Sequence, residues 1–261
     1  MGALDKLGFR HGINGPHAAR TLMYEDIQRL LEHVPPGSGK EAFIRAVVES
    51  NLLGKPTRKA RELAARHLSA LYGLDESVPL FRGFRRHWAA EPAARPMLAL
   101  LIALARDPLL RGSHEFILGQ PIGAVVAREA LEHVLARKNP DRFSAASLKS
   151  FAQNVNGSWT SAGFLEGRQR KVRCTPVITP CVVSFALFVA YLEGRSGALL
   201  FASSWLGMLA LPQAELERLA ANAAQLGLLQ FKSAGGVTEV GFRDYLTAEE
   251  LSCREEASRG I

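Results

Sequence analysis

Four cations crowd into six residues at Arg168, Arg170, Lys171 and Arg173, downstream of a run of short polar side chains that includes Ser147, Lys149, Ser150, Gln153, Asn154 and Ser158. Guanidinium and ammonium groups held close together bind phosphate. Ser, Asn and Gln side chains hydrogen-bond to phosphates and base edges. The chemistry these residues offer is recognition of a nucleic-acid backbone, not bond making. Between Arg137 and Arg173 the cations Arg137, Lys138, Arg142, Lys149, Arg168, Arg170, Lys171 and Arg173 face only Asp141 and Glu166, a net +6 in a chain of formal charge +7. Such an excess attracts polyanions through counterion release, and an acidic protein partner would satisfy the same electrostatics.

Catalytic patterns do not stand out. The seven histidines (His11, His17, His33, His67, His87, His114, His133) never pair with Cys, Asp or Glu at metal-ligand spacing, and there is no nucleophile elbow or dinucleotide loop. Gly37-Ser38-Gly39-Lys40 has the outline of a phosphate loop, but Val34 replaces its first Gly and Glu41 its Ser or Thr. The sequence therefore leads us to expect no enzyme, cofactor, metal site or small-molecule substrate. Cys174, Cys181 and Cys253 form no paired framework, and MGALDKLGFRHG has no apolar run of signal-peptide length, so a reducing cytoplasm is the expected location.

The polar and basic residues need elements to hold them. Ser144 is placed to cap a helix whose Leu148, Phe151, Ala152 and Val155 share one apolar face, leaving Ser147, Lys149, Ser150, Gln153, Asn154 and Ser158 for the other. Gly163-Phe164-Leu165 follows as a corner, Gly167 as a turn, and the basic arm as an extended segment. A helix, a corner and a basic hairpin are the parts of a winged helix, which lays one helix in the major groove of double-stranded DNA. A second copy begins at Pro212, where Leu216, Ala220 and Asn222 repeat the spacing of Leu148, Ala152 and Asn154. Gly227-Leu228-Leu229 repeats the corner, and 228–232 and 237–242 read as strands joined at Ser233-Ala234-Gly235-Gly236. Glu215 and Glu217 make the second helix acidic, so it is assigned to packing or to a protein partner.

The expected fold is mainly α: a helical N-terminal domain (1–138), then two winged-helix-like units with small β-hairpins (139–246) and a charged tail (247–261), a frayed helix or disordered. Residues 1–20 are left open. Helices are expected from Thr21 or Tyr24 to about 34, and over 40–53, 58–72, 94–105, 113–118 and 122–137. Arg58, Lys59 and Arg61, and Arg82, Arg85 and Arg86, are secondary DNA-binding candidates, each set with a solvated or core alternative. The apolar runs Val182–Tyr191 and Ala198–Leu211, ten and fourteen residues, are too short to span a bilayer and read as buried helices.

The order of parts resembles the BrxA family of accessory proteins from BREX bacteriophage-exclusion systems, or a divergent defence-island relative of it. The resemblance is carried by Glu49-Ser50-Asn51-Leu52-Leu53-Gly54-Lys55 before a Thr-capped basic helix, by the helix end Leu104-Ala105-Arg106-Asp107, and by the Ser144 to Leu165 helix with its corner. It implies a mostly helical, non-enzymatic DNA-binding protein of phage defence, with a methyltransferase and ATPases as possible partners. A protein adaptor in such a complex, turning its basic surface to an acidic partner, is the alternative.

Overall fold

The computed structural model describes residues 2–258. Its helices are α1 (Ala3–Leu7), α2 (Tyr24–His33), α3 (Lys40–Val48), α4 (Arg58–Tyr72), α5 (Pro79–Ala90), α6 (Arg95–Arg106), α7 (Pro108–Arg111), α8 (His114–Leu118), α9 (Arg128–Lys138) and α10 (Ala145–Ser161). They continue with α11 (Pro180–Leu192), α12 (Ala198–Phe201), α13 (Ser204–Gly207), α14 (Gln213–Gln225) and α15 (Ala248–Ser258). The strands are β1 (Leu165–Glu166), β2 (Val172–Arg173), β3 (Gln230–Ala234) and β4 (Val237–Gly241), in two antiparallel hairpins. The protein is mainly α with small hairpins. No helix among the described residues is long and apolar enough to cross a membrane.

Contacts group the chain into two interleaved compact units, and not into the successive segments expected from the sequence. One unit takes 10–76 and 102–176; the other takes the described residues of 1–9, 77–101 and 177–261. A helix and a short hairpin cannot cover their own apolar faces, so each winged part closes its core with helices from distant sequence.

In the unit of 10–76 and 102–176, α10 starts where Ser144 Oγ accepts the Ser147 N–H at 3.2 Å. Phe151, Ala152, Val155 and Trp159 form its buried face. Trp159 donates Nε1–H to Ser113 Oγ at 2.9 Å and meets the Phe164 ring edge-on at 4.9 Å between centroids. The expected helix over 122–137 begins only at Arg128. Pro121 and Gly123 interrupt it, and Val125 bridges Val172 antiparallel while Val126 donates to the Lys171 carbonyl at 2.9 Å. Val125 is exposed and Val126 buried, the alternation of a strand. The sheet order is therefore 124–126, β2, β1, and the path strand, α9, α10, β1, β2 is that of a winged helix.

The other unit centres on α11, which Thr179 caps and which buries nearly every side chain. The second apolar run is two short helices, α12 and α13, separated where Ser203 caps the latter. α14 buries Leu216, Leu219, Ala220 and Ala223, and β3 pairs with β4 in the register Ala234↔Val237, a two-residue loop at Gly235-Gly236. Residues 248–258 of the expected tail take its helix alternative, as a capped and packed helix and not a frayed one. Thr247 and Glu250 exchange capping-box bonds of 2.8 and 3.3 Å, Cys253 and Ala257 are buried, and α15 packs on α1.

Candidate nucleic-acid interface

The outward face of α10 keeps four of its six expected residues in solvent: Ser147, Lys149, Ser150 and Gln153 are exposed. Asn154 is half-buried and donates Nδ2–H to the His17 carbonyl at 3.2 Å. Ser158 is wholly buried, a correction to its place among the DNA contacts. Its position, four residues after Asn154, turns it toward the core, where His17 waits.

His17, Asp107 and Ser158 form a chain that the sequence reading missed. His17 Nδ1 lies 2.7 Å from Asp107 Oδ2, and Nε2 lies 2.8 Å from Ser158 Oγ. The connectivity is that of a hydrolase triad, but all three side chains are at 0% exposure. Ser158 Oγ also accepts the Leu22 N–H at 3.1 Å and donates to the Asn154 carbonyl at 2.9 Å. With no open approach, the chain anchors α10 from behind. Burial works to raise the Asp107 pKa, but the His17 bond and charge outweigh it and hold the carboxyl below its usual range. The three residues lie 90 and 51 positions apart or more, a separation that no local spacing could flag.

The wing divides in the same way. Arg168 and Arg170 are exposed, Lys171 is half-buried, and Arg173 is only 4% exposed. Arg173 sits in β2, where alternation turns it inward: its guanidinium stands over the Phe164 ring at 5.0 Å and donates to the carbonyls of Phe164 and Cys174. It is a structural residue and not a phosphate contact, a second correction. The turn needs Gly167 at φ 88°, because a Cβ there would stand 2.1 Å from the Arg170 carbonyl oxygen. Lys171 Nζ donates to the Gly167 carbonyl at 2.6 Å, and burial lowers its pKa.

Helix and wing meet in one groove of about 640 Å³, lined by Gln153, Asn156 and Gly157 of α10, Val125 to Glu129 ahead of and within α9, and Arg168 to Lys171 of the wing. Asn156 and Gln169 were not singled out from the sequence. Gln153, Asn156 and Gly157 lie three and four residues apart, a spacing that could have shown a shared face.

The secondary candidates are largely committed elsewhere. Arg61 donates to the Val48 carbonyl at 2.9 Å, tying down the end of α3, while Arg58 pairs with Glu62 at 2.9 Å in solvent and Lys59 is exposed. Arg82 pairs with Glu250 at 2.6 Å and donates to the Tyr245 carbonyl, Arg85 is buried, and Arg86 lies 4.3 Å from the Tyr245 ring centre. Arg82 and Arg85 therefore serve packing around α5, which corrects their assignment to DNA, while Arg86 stays exposed.

Among the described residues no group of three or more His, Cys, Asp or Glu stands ready to hold a metal ion. No family model matches the chain, and no curated protein matches it. The fold is similar to that of SspB in its magnesium ion-bound crystal structure, with a TM-score of 0.56 and 12% identity over 100% of both chains. At that identity the likeness concerns the fold alone.

Proposed function

We propose that the unit of 10–76 and 102–176 binds double-stranded DNA without catalysis, α10 entering the major groove and the wing touching the backbone. The observation that carries this reading is the shared groove: Gln153 from α10 and Arg168, Arg170 and Lys171 from the wing line one surface, on a unit with winged-helix topology. Ser147, Lys149 and Ser150 extend the exposed polar face toward the start of α10. The resemblance to BrxA supports a role as an accessory protein of a BREX-like phage-defence system, acting in the cytoplasm beside methyltransferase and ATPase components.

The adaptor reading draws on the other unit. Glu215 and Glu217 lie on α14, and its hairpin pairs Lys232 with Glu239 at 3.9 Å, a surface suited to a protein and not to phosphate.

Duplex binding across a range of salt separates the two. Each phosphate contact contributes about 0.9 to the slope of log affinity against log salt, so Arg168→Ala with Arg170→Ala should flatten it by about two units. Lys149→Glu should weaken binding strongly, while Glu217→Lys leaves it unchanged or slightly tighter. A wild-type chain with no affinity for duplex at low salt would establish the adaptor instead.

A further inference from the structure

We propose that the groove between α10, the first turn of α9 and the wing is a nucleotide site, in which Arg168 and Arg170 take the phosphate and Asn156 takes an N–H or O–H donor of the same ligand. The proposal deepens the DNA-binding reading of this unit and rests on it.

Asn156 carries the argument. It lines the groove, is only 5% exposed, and its Oδ1 is buried with no hydrogen-bond partner. A buried carbonyl oxygen without a donor is costly and calls for an explanation, and in a groove lined by cations a ligand donor supplies one. A backbone phosphodiester cannot supply it, because its ionised oxygens only accept. The missing donor must come from a part of the ligand other than the anion.

The anionic part has its own place. Arg168 and Arg170 are exposed on the wing and line the groove, with the partly desolvated Lys171 beside them. α9, eleven residues long, begins there at Arg128 behind Ala127, which offers no side-chain cap, so its first N–H groups favour an anion. Glu129 opposes this charge, but Arg128 holds it at 2.5 Å. The groove, about 640 Å³, is of the size that takes a small molecule and far exceeds a lone phosphate. A nucleotide unit combines an anion with hydroxyl and exocyclic amine donors within a few ångströms. It could come from two sources, a nucleotide of a bound DNA strand or a free mononucleotide.

The test uses the full chain with four probes: inorganic phosphate, deoxyadenosine, deoxyadenosine 5′-monophosphate and a short duplex. The monophosphate should bind at least about ten-fold tighter than phosphate or nucleoside alone. Asn156→Leu, which fills the same space without the orphan carbonyl, should remove that ten-fold advantage, leave phosphate binding unchanged and keep or raise the thermal midpoint. Should this variant fail to fold, Arg170→Ala, on the exposed wing, should weaken phosphate and monophosphate alike. Competition between monophosphate and duplex identifies a strand nucleotide as the ligand, and binding without competition identifies a free one. Equal affinity for phosphate and monophosphate, or a monophosphate affinity indifferent to both variants, overturns the site. Duplex binding that responds to Lys149→Glu, beside a monophosphate affinity that does not respond to Asn156→Leu, leaves the DNA reading standing and removes the nucleotide site. Tight monophosphate binding with no duplex affinity does the reverse.

Discussion

His17 donates its Nδ1–H to Asp107 Oδ2 across 2.7 Å, with both side chains wholly out of water. The carboxylate also accepts the His17 backbone N–H at 2.9 Å, and its other oxygen accepts those of Leu109 and Leu110 at 2.9 and 3.2 Å. One side chain thus joins the turn at Pro16–Ala18 to the start of α7, and through His17 and Ser158 to α10. Removing one partner of a buried pair strands the other. Asp107→Ala should cost roughly 3–5 kcal/mol, measured by denaturant unfolding.

The same residue sets an acid limb. Its folded pKa is depressed, so its stabilisation is present above the unfolded carboxylate value of about 4 and is lost as pH falls through the lower folded value. Asp107→Asn has no such proton to gain. The stability gap between wild type and this variant should narrow as pH drops below about 4, and a gap constant down to about pH 2 would place the carboxylate's value elsewhere.

How far the sequence foretells this site depends on whether its signals are local. Ser144 and Thr57 each cap the helix their spacing indicates, because a cap and its N–H lie three residues apart. The exposed half of α10 and the tip of the wing are equally legible. Arg173 and Ser158 are not, since charge and polarity mark them for solvent and only the register of β2 and the turn of α10 bring them inward. Thr247 and Glu250 did spell out a capping box, but the charged composition of 247–261 obscured it. The interleaving of the two units, and the meeting of His17 with Asp107, depend on contacts between segments far apart in sequence, for which one chain offers no periodicity to read.

His87 gives the other unit a separate pH response. Burial lowers its pKa to about 4, against a small upward pull from the Gly83 carbonyl, with Arg86 adding to the fall. Its Nδ1–H donates to Gly83 at 2.7 Å, so the neutral ring accepts at Nε2 from Ser184 Oγ at 2.9 Å. The unfolded chain takes up a proton near pH 6.5 that the folded chain refuses until about 4. Stability should therefore fall by about 3 kcal/mol between these values and level off below them. His87→Gln should start from lower stability but lose this slope, as urea midpoints across the window will show.

Gly83 is set by a close approach. A Cβ on it would stand 2.1 Å from Phe188 Cε1, and Phe188 is itself fully buried against Phe242 and Tyr245 at 5.1 and 5.0 Å. The ring cannot retreat, so Gly83→Ala should destabilise by about 3 kcal/mol despite the better helix propensity of Ala. Phe188→Leu frees the space. The double variant should recover part of the loss, and additive losses in the cycle would mean that the two side chains do not collide.

Arg173 and the exposed pair Arg168 and Arg170 should part company when each is replaced by Ala. The exposed cations hold no buried position, so their loss should change stability by no more than about half a kcal/mol while flattening the salt dependence of duplex binding. Arg173 contributes the opposite way. Its guanidinium covers the Phe164 ring and bonds two carbonyls, so Arg173→Ala uncovers Phe164 and leaves the Phe164 carbonyl without that donor. A loss of about 1–3 kcal/mol is expected, with the slope of log affinity against log salt unchanged under conditions where the variant stays folded. Thermal melts and duplex titrations on the same preparations check both halves. A flatter slope for Arg173→Ala at full stability would return that residue to the phosphate surface and remove it from the support of the wing.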